Sequence, residues 1–168
     1  QRQWTGDAYG QALFGYLMHA DPAPAERMLR QIAQTQRGDG MVMMASVCDL
    51  EASGKLFIPD FALWWIMAFE QHLLYTERSE TLLELLPAAV KVLQWFTGFV
   101  DSRGLISELP GWTFVDWSTE LDRRGAVTYS NAFFVAAVRS LQRVADYLGA
   151  GVILGDLGRV AEAVADSI

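Results

Sequence analysis

Three short segments of the chain combine tryptophan with aspartate. A carboxylate accepts hydrogen bonds from two neighbouring hydroxyl groups, and an indole ring covers the apolar C–H face of a pyranose. The segments are the tetrapeptide at positions 4–7, the stretch 60–65 and the stretch 112–117. They predict a sugar-binding pocket that is lined by Trp4, Asp7, Asp60, Trp64, Trp112, Asp116 and Trp117.

Several of these residues also have a purely structural interpretation. Asp7 and Asp60 precede predicted helices, where an aspartate side chain commonly caps the first turn. Trp95 and one of the adjacent pair Trp64 and Trp65 fit plain core packing, because large aromatic side chains in helices are mostly buried. Sequence alone leaves both interpretations open.

Other chemistries find less support in the sequence. His19 and His72 lack the partner four residues away that a helical metal site requires, and Cys48 has no basic neighbour to activate its thiol. The sequence therefore predicts no metal, no cofactor and no cysteine nucleophile.

Helical periodicity and capping residues predict three pairs of helices, at 7–20 with 25–36, 61–76 with 79–100, and 128–148 with 156–167. Pro87 predicts a kink or a late start in the fourth helix. The long connections 37–55 and 101–124 separate the pairs, and the second is compatible with a short β-hairpin. Because long loops on a rigid scaffold commonly carry function, we expect the aromatic segments to meet at one end of the helices.

Composition limits the class of partner. The 168 residues include 20 Asp and Glu against 13 Lys and Arg, giving a formal net charge of -7. This charge disfavours nucleic acid and anionic membranes, which require a concentrated cationic surface. The most apolar stretch, 57–69, is shorter than the roughly 20 residues of a membrane span. Carbohydrate is the expected partner, with neither nucleic acid nor membrane involved.

The motifs in this order resemble those of bacterial α-L-rhamnosidases, glycoside hydrolase family 78. Trp4-Thr5-Gly6-Asp7 is similar to the end of the motif that opens the catalytic barrel of that family. Ile58-Pro59-Asp60-Phe61, Asp116-Trp117 and Asn131-Ala132-Phe133-Phe134 are similar to its later landmarks, and Val115 stands where the family has glycine. The resemblance implies an all-α fold in which αα-hairpins form part of an (α/α)6 six-hairpin barrel.

The resemblance also implies an activity. Residues 1–168 would be a single partial catalytic domain, about three hairpins of an inverting glycoside hydrolase that removes terminal sugars from glycosides or polysaccharides. No catalytic residue is expected within the chain: the general acid is expected just before Gln1 and the general base after Ile168. Inverting enzymes place two such carboxyl groups about 6.5–9.5 Å apart. Trp4 and Asp7 match the sugar-pocket Trp and Asp of the family, and Trp117 matches the Trp of its Gly-Asp-Trp segment.

Two other classes remain open. One is a non-catalytic helical module that binds carbohydrate or another partner, and the other is a different six-hairpin enzyme, such as an unsaturated-uronide hydrolase. Half of a six-hairpin ring leaves apolar helix faces without partners. The isolated chain is therefore expected to form a homo-oligomer that covers these faces. It is also expected to be inactive, because it lacks the general acid and the general base.

Overall fold

The computed structural model describes residues 3–46, 58–115, 117–118 and 120–168. Within these ranges the chain forms six α-helices: α1 (Asp7–His19), α2 (Ala23–Ala33), α3 (Pro59–Thr76), α4 (Glu80–Thr97), α5 (Thr128–Tyr147) and α6 (Leu157–Ser167). Two short strands, β1 (Gln3–Trp4) and β2 (Ala45–Ser46), pair antiparallel, and a 3-10 turn at Gly151–Leu154 precedes α6. The predicted all-α class is confirmed.

The helices form two layers, with α1, α3 and α5 in one layer and α2, α4 and α6 in the other. Tyr9 contacts Trp64 near the starts of α1 and α3, and Tyr16 contacts His72 near their ends, so these helices run parallel. Helices α3 and α5 are also parallel, because Trp64 contacts Phe133 and, further along both helices, Glu70 contacts Arg143. We call the end at which α1, α3 and α5 begin the loop end, and the opposite end the turn end.

Helix α3 lies at the centre of the core, between α1 and α5. Its side chains are apolar almost all round, as expected of a helix that is buried on every side. Trp65 is fully buried, and its Nε1 donates to the carbonyl of Leu29 in α2 at 3.2 Å. The predicted core role of one of the two adjacent tryptophans is confirmed.

Some local predictions change in detail. Helix α4 has no late start and runs through Pro87; Pro87 is exposed, so water can reach the backbone carbonyl that the proline cannot bond. At the start of the connection after α4, one isolated antiparallel bridge joins Val100 and Ile106, and it is the only bridge of this connection in the described residues. Neither aspartate caps its helix with its side chain, because Gly6 and Ile58 hold the N-cap positions of α1 and α3.

Helix α1 has a neighbour on one side and an exposed apolar face on the other. Phe14, Leu17 and Met18 on that face are 71%, 63% and 71% exposed. This face lies on the side of α1 opposite to the side that packs on α3. None of the helices in the described ranges is long and apolar enough to cross a membrane.

Candidate functional site

The segment 3–7 enters the loop end along β1. Thr5 is buried, and its backbone N–H donates to the carbonyl of Met44 at 2.8 Å while its hydroxyl donates to the carbonyl of Met43, also at 2.8 Å. The threonine of the Trp-Thr-Gly-Asp motif therefore holds this segment against the connection that follows α2.

Gly6 and Phe61 are in close contact. A Cβ atom at position 6 would lie 2.7 Å from the ring of Phe61, so only glycine fits without displacing the ring. Trp4 meets the same ring edge-on, with 6.4 Å between centroids. Asp7 follows as the first residue of α1, and it is exposed. The motif thus holds Trp4 and Asp7 on the two sides of a glycine that packs on Phe61.

A second aromatic group lies in residues 112–115 and 117–118, which we call the aromatic loop. Phe114 is its centre, with ring centroids 5.2 Å from Trp112, 5.1 Å from Trp117 and 5.5 Å from Phe61. The side chain of Trp117 is the most accessible of these and is 77% exposed. A continuous series of ring contacts therefore runs from Trp4 through Phe61 and Phe114 to Trp117.

Asp60 lies beneath the aromatic loop, with only 1% of its surface exposed. Its Oδ1 accepts a hydrogen bond from the backbone N–H of Phe114 at 3.0 Å, whereas Oδ2 has no hydrogen-bond partner in the part of the chain that the structure describes. Burial raises the pKa of this carboxyl above its ordinary value, and the backbone amides of Phe114 and Val115 and the charge of Arg123 partly oppose the rise.

Arg123 closes the aromatic loop from the other side. Its guanidinium donates to the carbonyls of Ser118 at 2.9 Å, Leu121 at 3.2 Å and Phe114 at 3.4 Å. The peptide at Phe114 is therefore held at both of its polar groups, by Asp60 at the N–H and by Arg123 at the carbonyl.

Val115 adopts a left-handed backbone conformation, with φ of 46°. This region suits glycine, and a β-branched residue in it costs roughly 1–2 kcal/mol. Val115 therefore holds a backbone turn that glycine would adopt with less strain.

Trp64 forms the inner wall of the loop end. It is half-buried, and its ring lies 5.0 Å from Tyr9 and 4.6 Å from Phe133. Tyr129 lies nearby; burial and the charge of Asp60 raise the pKa of its hydroxyl to about 12. Helices α1, α3 and α5 thus each contribute an aromatic side chain from their first two turns.

The structure gathers most of the predicted pocket residues at the loop end. Phe61 and Phe114 are surrounded by Trp4, Asp60, Trp112 and Trp117. Asp7 is the first residue of α1, and Trp64 lies in the second turn of α3. Asp116 is outside the described residues. Sequence reasoning missed the role of Phe61. Its one signal was an aromatic residue directly after Asp60, and nothing in the sequence paired that residue with Gly6.

Trp95 packs against the main core as predicted, and its ring also makes a polar contact. It is half-buried beside Phe96 and Phe99, and its Nε1 lies 3.3 Å from Oδ2 of Asp39 in the connection after α2. The polar edge of this tryptophan thus joins α4 to that connection.

Comparison with solved structures identifies the architecture. Residues 1–168 superpose on the GH78 family rhamnosidase of Bacillus sp. GL1 with a TM-score of 0.89 and 24% identity, covering 100% of this chain and 17% of that one. The chain has the fold of part of a family 78 rhamnosidase. A rhamnosidase from Klebsiella oxytoca with rhamnose bound gives a TM-score of 0.82 and 21% identity, covering 99% of this chain and 32% of that one.

The predicted part of an (α/α)6 barrel is therefore confirmed at the level of the fold. A scan against profiles of known protein families finds no match, and neither does a comparison with curated protein sequences. The chain spans less than a third of either rhamnosidase.

Proposed function

We propose that the chain is part of a glycoside hydrolase and that its loop end binds a terminal sugar, with L-rhamnose as the first candidate. The observation that carries the proposal is the gathering of the Trp4 segment and the aromatic loop around one ring, that of Phe61. Aromatic faces beside carboxylates suit a ring that is apolar on one face and has hydroxyl groups at its edge.

The exposed residues have distinct roles in this proposal. The indole of Trp117 offers a face for stacking on the C–H side of the sugar, and Asp7 offers an accessible carboxylate for its hydroxyl groups. Trp4, Trp112 and Trp64 form the walls of the pocket, and Asp116, which follows Val115 in the sequence, is proposed as a second carboxylate that binds the sugar.

Bond cleavage needs an acid and a base that this proposal places in other segments of a longer protein. An inverting hydrolase protonates the leaving oxygen with one carboxyl group and activates water with another. Asp60 does not fit either role, because its carboxyl is buried and bound to the backbone of the aromatic loop. The chain then supplies the sugar pocket, and the reacting carboxyl groups come from elsewhere.

Ligand-observed NMR with L-rhamnose tests the binding part of the proposal. Trp117→Ala and Asp7→Ala should abolish saturation transfer to the sugar while the protein stays folded. Trp95→Ala is the control, because it should lower the melting temperature and keep the transfer. Loss of transfer that only follows the loss of stability in all three variants would contradict the pocket.

Hydrolysis tests the enzymatic part. The chain in its complete open reading frame should release the aryl group from an aryl α-L-rhamnoside, whereas residues 1–168 alone should not. Rhamnose binding without hydrolysis by the complete product would favour the non-catalytic carbohydrate-binding module. Hydrolysis by residues 1–168 alone would contradict the assignment of the acid and base to other segments.

A further inference from the structure

We propose that Asp60 and Phe61, adjacent residues at the start of α3, are positioning residues that set the shape of the loop-end pocket without touching the sugar. The part of this inference that concerns the sugar rests on the function proposed above. The part that concerns the position of the aromatic loop stands on the contacts alone.

Phe61 separates the two segments that carry exposed tryptophans. On one side its ring leaves no space for a Cβ at Gly6 and meets Trp4 edge-on. On the other side it meets Phe114, whose ring contacts Trp117. Phe61 therefore contacts both tryptophan segments, and the size of its ring helps to set the distance between them.

Asp60 fixes the backbone of the aromatic loop. Its Oδ1 accepts from the N–H of Phe114, and the amide of Val115 also favours its ionised form. Hydrogen bonds from amides to an ionised carboxylate are stronger than those between neutral groups. They hold the turn in which Val115 keeps its left-handed conformation, which would otherwise relax.

The dependence is mutual. A carboxylate that is 99% removed from solvent is strongly disfavoured unless it is hydrogen-bonded, and the aromatic loop supplies the bonds. If the aromatic loop moves away, the carboxylate of Asp60 either becomes exposed to solvent or stays buried without these hydrogen bonds. Removal of Asp60 should therefore displace Trp112 and Trp117 although both tryptophans remain in the chain.

Fluorine NMR of the chain labelled with 5-fluorotryptophan measures this displacement. The six tryptophans give separate resonances that are assigned with single Trp→Phe variants. Asp60→Ala should move the resonances of Trp112 and Trp117 and leave that of Trp65 in place. Asp60→Asn should restore both resonances toward their original positions, since its amide oxygen still accepts from the N–H of Phe114.

The matched control is Asp156→Ala, which removes an exposed carboxylate at the start of α6. It should leave all six resonances unchanged. Unmoved resonances of Trp112 and Trp117 in folded Asp60→Ala would overturn the proposal, and so would an equal movement of all six. If Asp60→Ala does not fold, hydrogen exchange of the Phe114 amide in the unaltered chain decides: protection supports the proposal, and exchange as fast as in an exposed loop overturns it.

Titration with L-rhamnose connects the positioning role to the sugar. Binding should weaken about tenfold in Asp60→Ala, because the displaced Trp117 loses its stacking contact with the sugar, and an aromatic contact is worth up to about that factor in affinity. Equal binding by Asp60→Ala and the unaltered chain would overturn the positioning role. If the unaltered chain binds no rhamnose while the resonances of Trp112 and Trp117 still move, the proposed function fails and the positioning of the aromatic loop stands.

Discussion

The two ends of α3 each bury one titratable side chain, but the partners differ. At the loop end, Asp60 binds the backbone of the aromatic loop. At the turn end, Nδ1 of His72 lies 2.9 Å from the hydroxyl of Tyr16 in α1, and its Nε2 lies 3.9 Å from Oε1 of Glu26 in α2. Glu26 is also paired with Arg78 at 2.7 Å.

This difference predicts that the two ends of α3 respond differently to substitution. The partners of His72 are side chains of rigid helices, so a change at the turn end should alter the free energy of unfolding alone. The partner of Asp60 is a loop, so a change at the loop end should alter both the free energy of unfolding and the position of Trp117. The predictions below test this distinction.

The largest effect is expected for Phe61→Ala. Truncating a buried phenylalanine costs about 3–5 kcal/mol in the free energy of unfolding. Because Phe61 lies between the two tryptophan segments, the fluorine resonances of Trp4 and Trp117 should both move. Phe96→Ala, which truncates a fully buried ring of the main core, is the control: a similar loss of stability should leave both resonances in place. If the resonances of Trp4 and Trp117 also move in Phe96→Ala, their movement in Phe61→Ala would reflect lost stability and not the position of Phe61.

Gly6→Ala should cost about 1–3 kcal/mol, because the new Cβ overlaps the ring of Phe61. The backbone of Gly6 is helical, with φ of -70°, so the cost is purely steric. Adding Phe61→Leu should recover part of the lost stability. Gly10→Ala in the same helix meets no atom within 4 Å and should instead stabilise by about 0.5–1 kcal/mol. Chemical denaturation measures all of these variants.

Acid should destabilise the turn end through His72. Burial is the main reason that the pKa of His72 lies below its ordinary 6.5, with Arg78 and Arg30 adding to the effect and Glu26 opposing it. The unfolded chain then binds a proton that the folded chain does not, so stability is lost as the pH falls below 6.5, by at most about 1.4 kcal/mol per pH unit. His72→Gln should flatten the profile.

The control for that profile is Phe96→Ala, which truncates a fully buried side chain that does not titrate and should lower the stability without changing its pH dependence. Asp60 changes the pH dependence of stability in the opposite direction. Its raised pKa favours the folded chain at low pH, and this contribution is lost as the pH rises above the ordinary 3.8. A profile for His72→Gln that matches the unaltered chain between pH 5 and 7 would contradict the account of the turn end.

Val115→Gly should change stability by less than about 1 kcal/mol, and in the stabilising direction. Relief of roughly 1–2 kcal/mol of left-handed strain is partly offset by the larger entropy of glycine in the unfolded chain. Val127→Gly, at a position with φ of -88°, has no strain to relieve and should destabilise. Equal destabilisation by both would show that Val115 is not strained.

The smallest change in stability is expected on the exposed face of α1, because its side chains are already largely accessible to solvent. Replacing Phe14, Leu17 and Met18 with glutamine should alter the free energy of unfolding by less than about 0.5 kcal/mol per site. We predict that the isolated chain self-associates through this face, so light scattering should show a lower mass for the triple variant. A monomeric unaltered chain would contradict this prediction.

The sequence predicted the helices and the end at which the aromatic segments gather, because apolar periodicity and loop length record which faces are buried and where the chain reverses. It did not predict the short pairing of β1 with β2, since two-residue strands leave no periodic signal. It also gave Asp60 two roles, as a sugar ligand or a helix cap. The structure shows instead a bond to Phe114, 54 residues away, and contacts of that range leave no pattern in one sequence.

Backbone NMR of the chain titrated with L-rhamnose tests the central claim most directly, because it reports both ends of α3 in one experiment. The account predicts that amide shifts are confined to the loop end, at Trp4, Phe61 and Trp117, while Tyr16 and His72 at the turn end stay unchanged. Shifts centred on the turn end, or no shift at the loop end at saturating rhamnose, would contradict it.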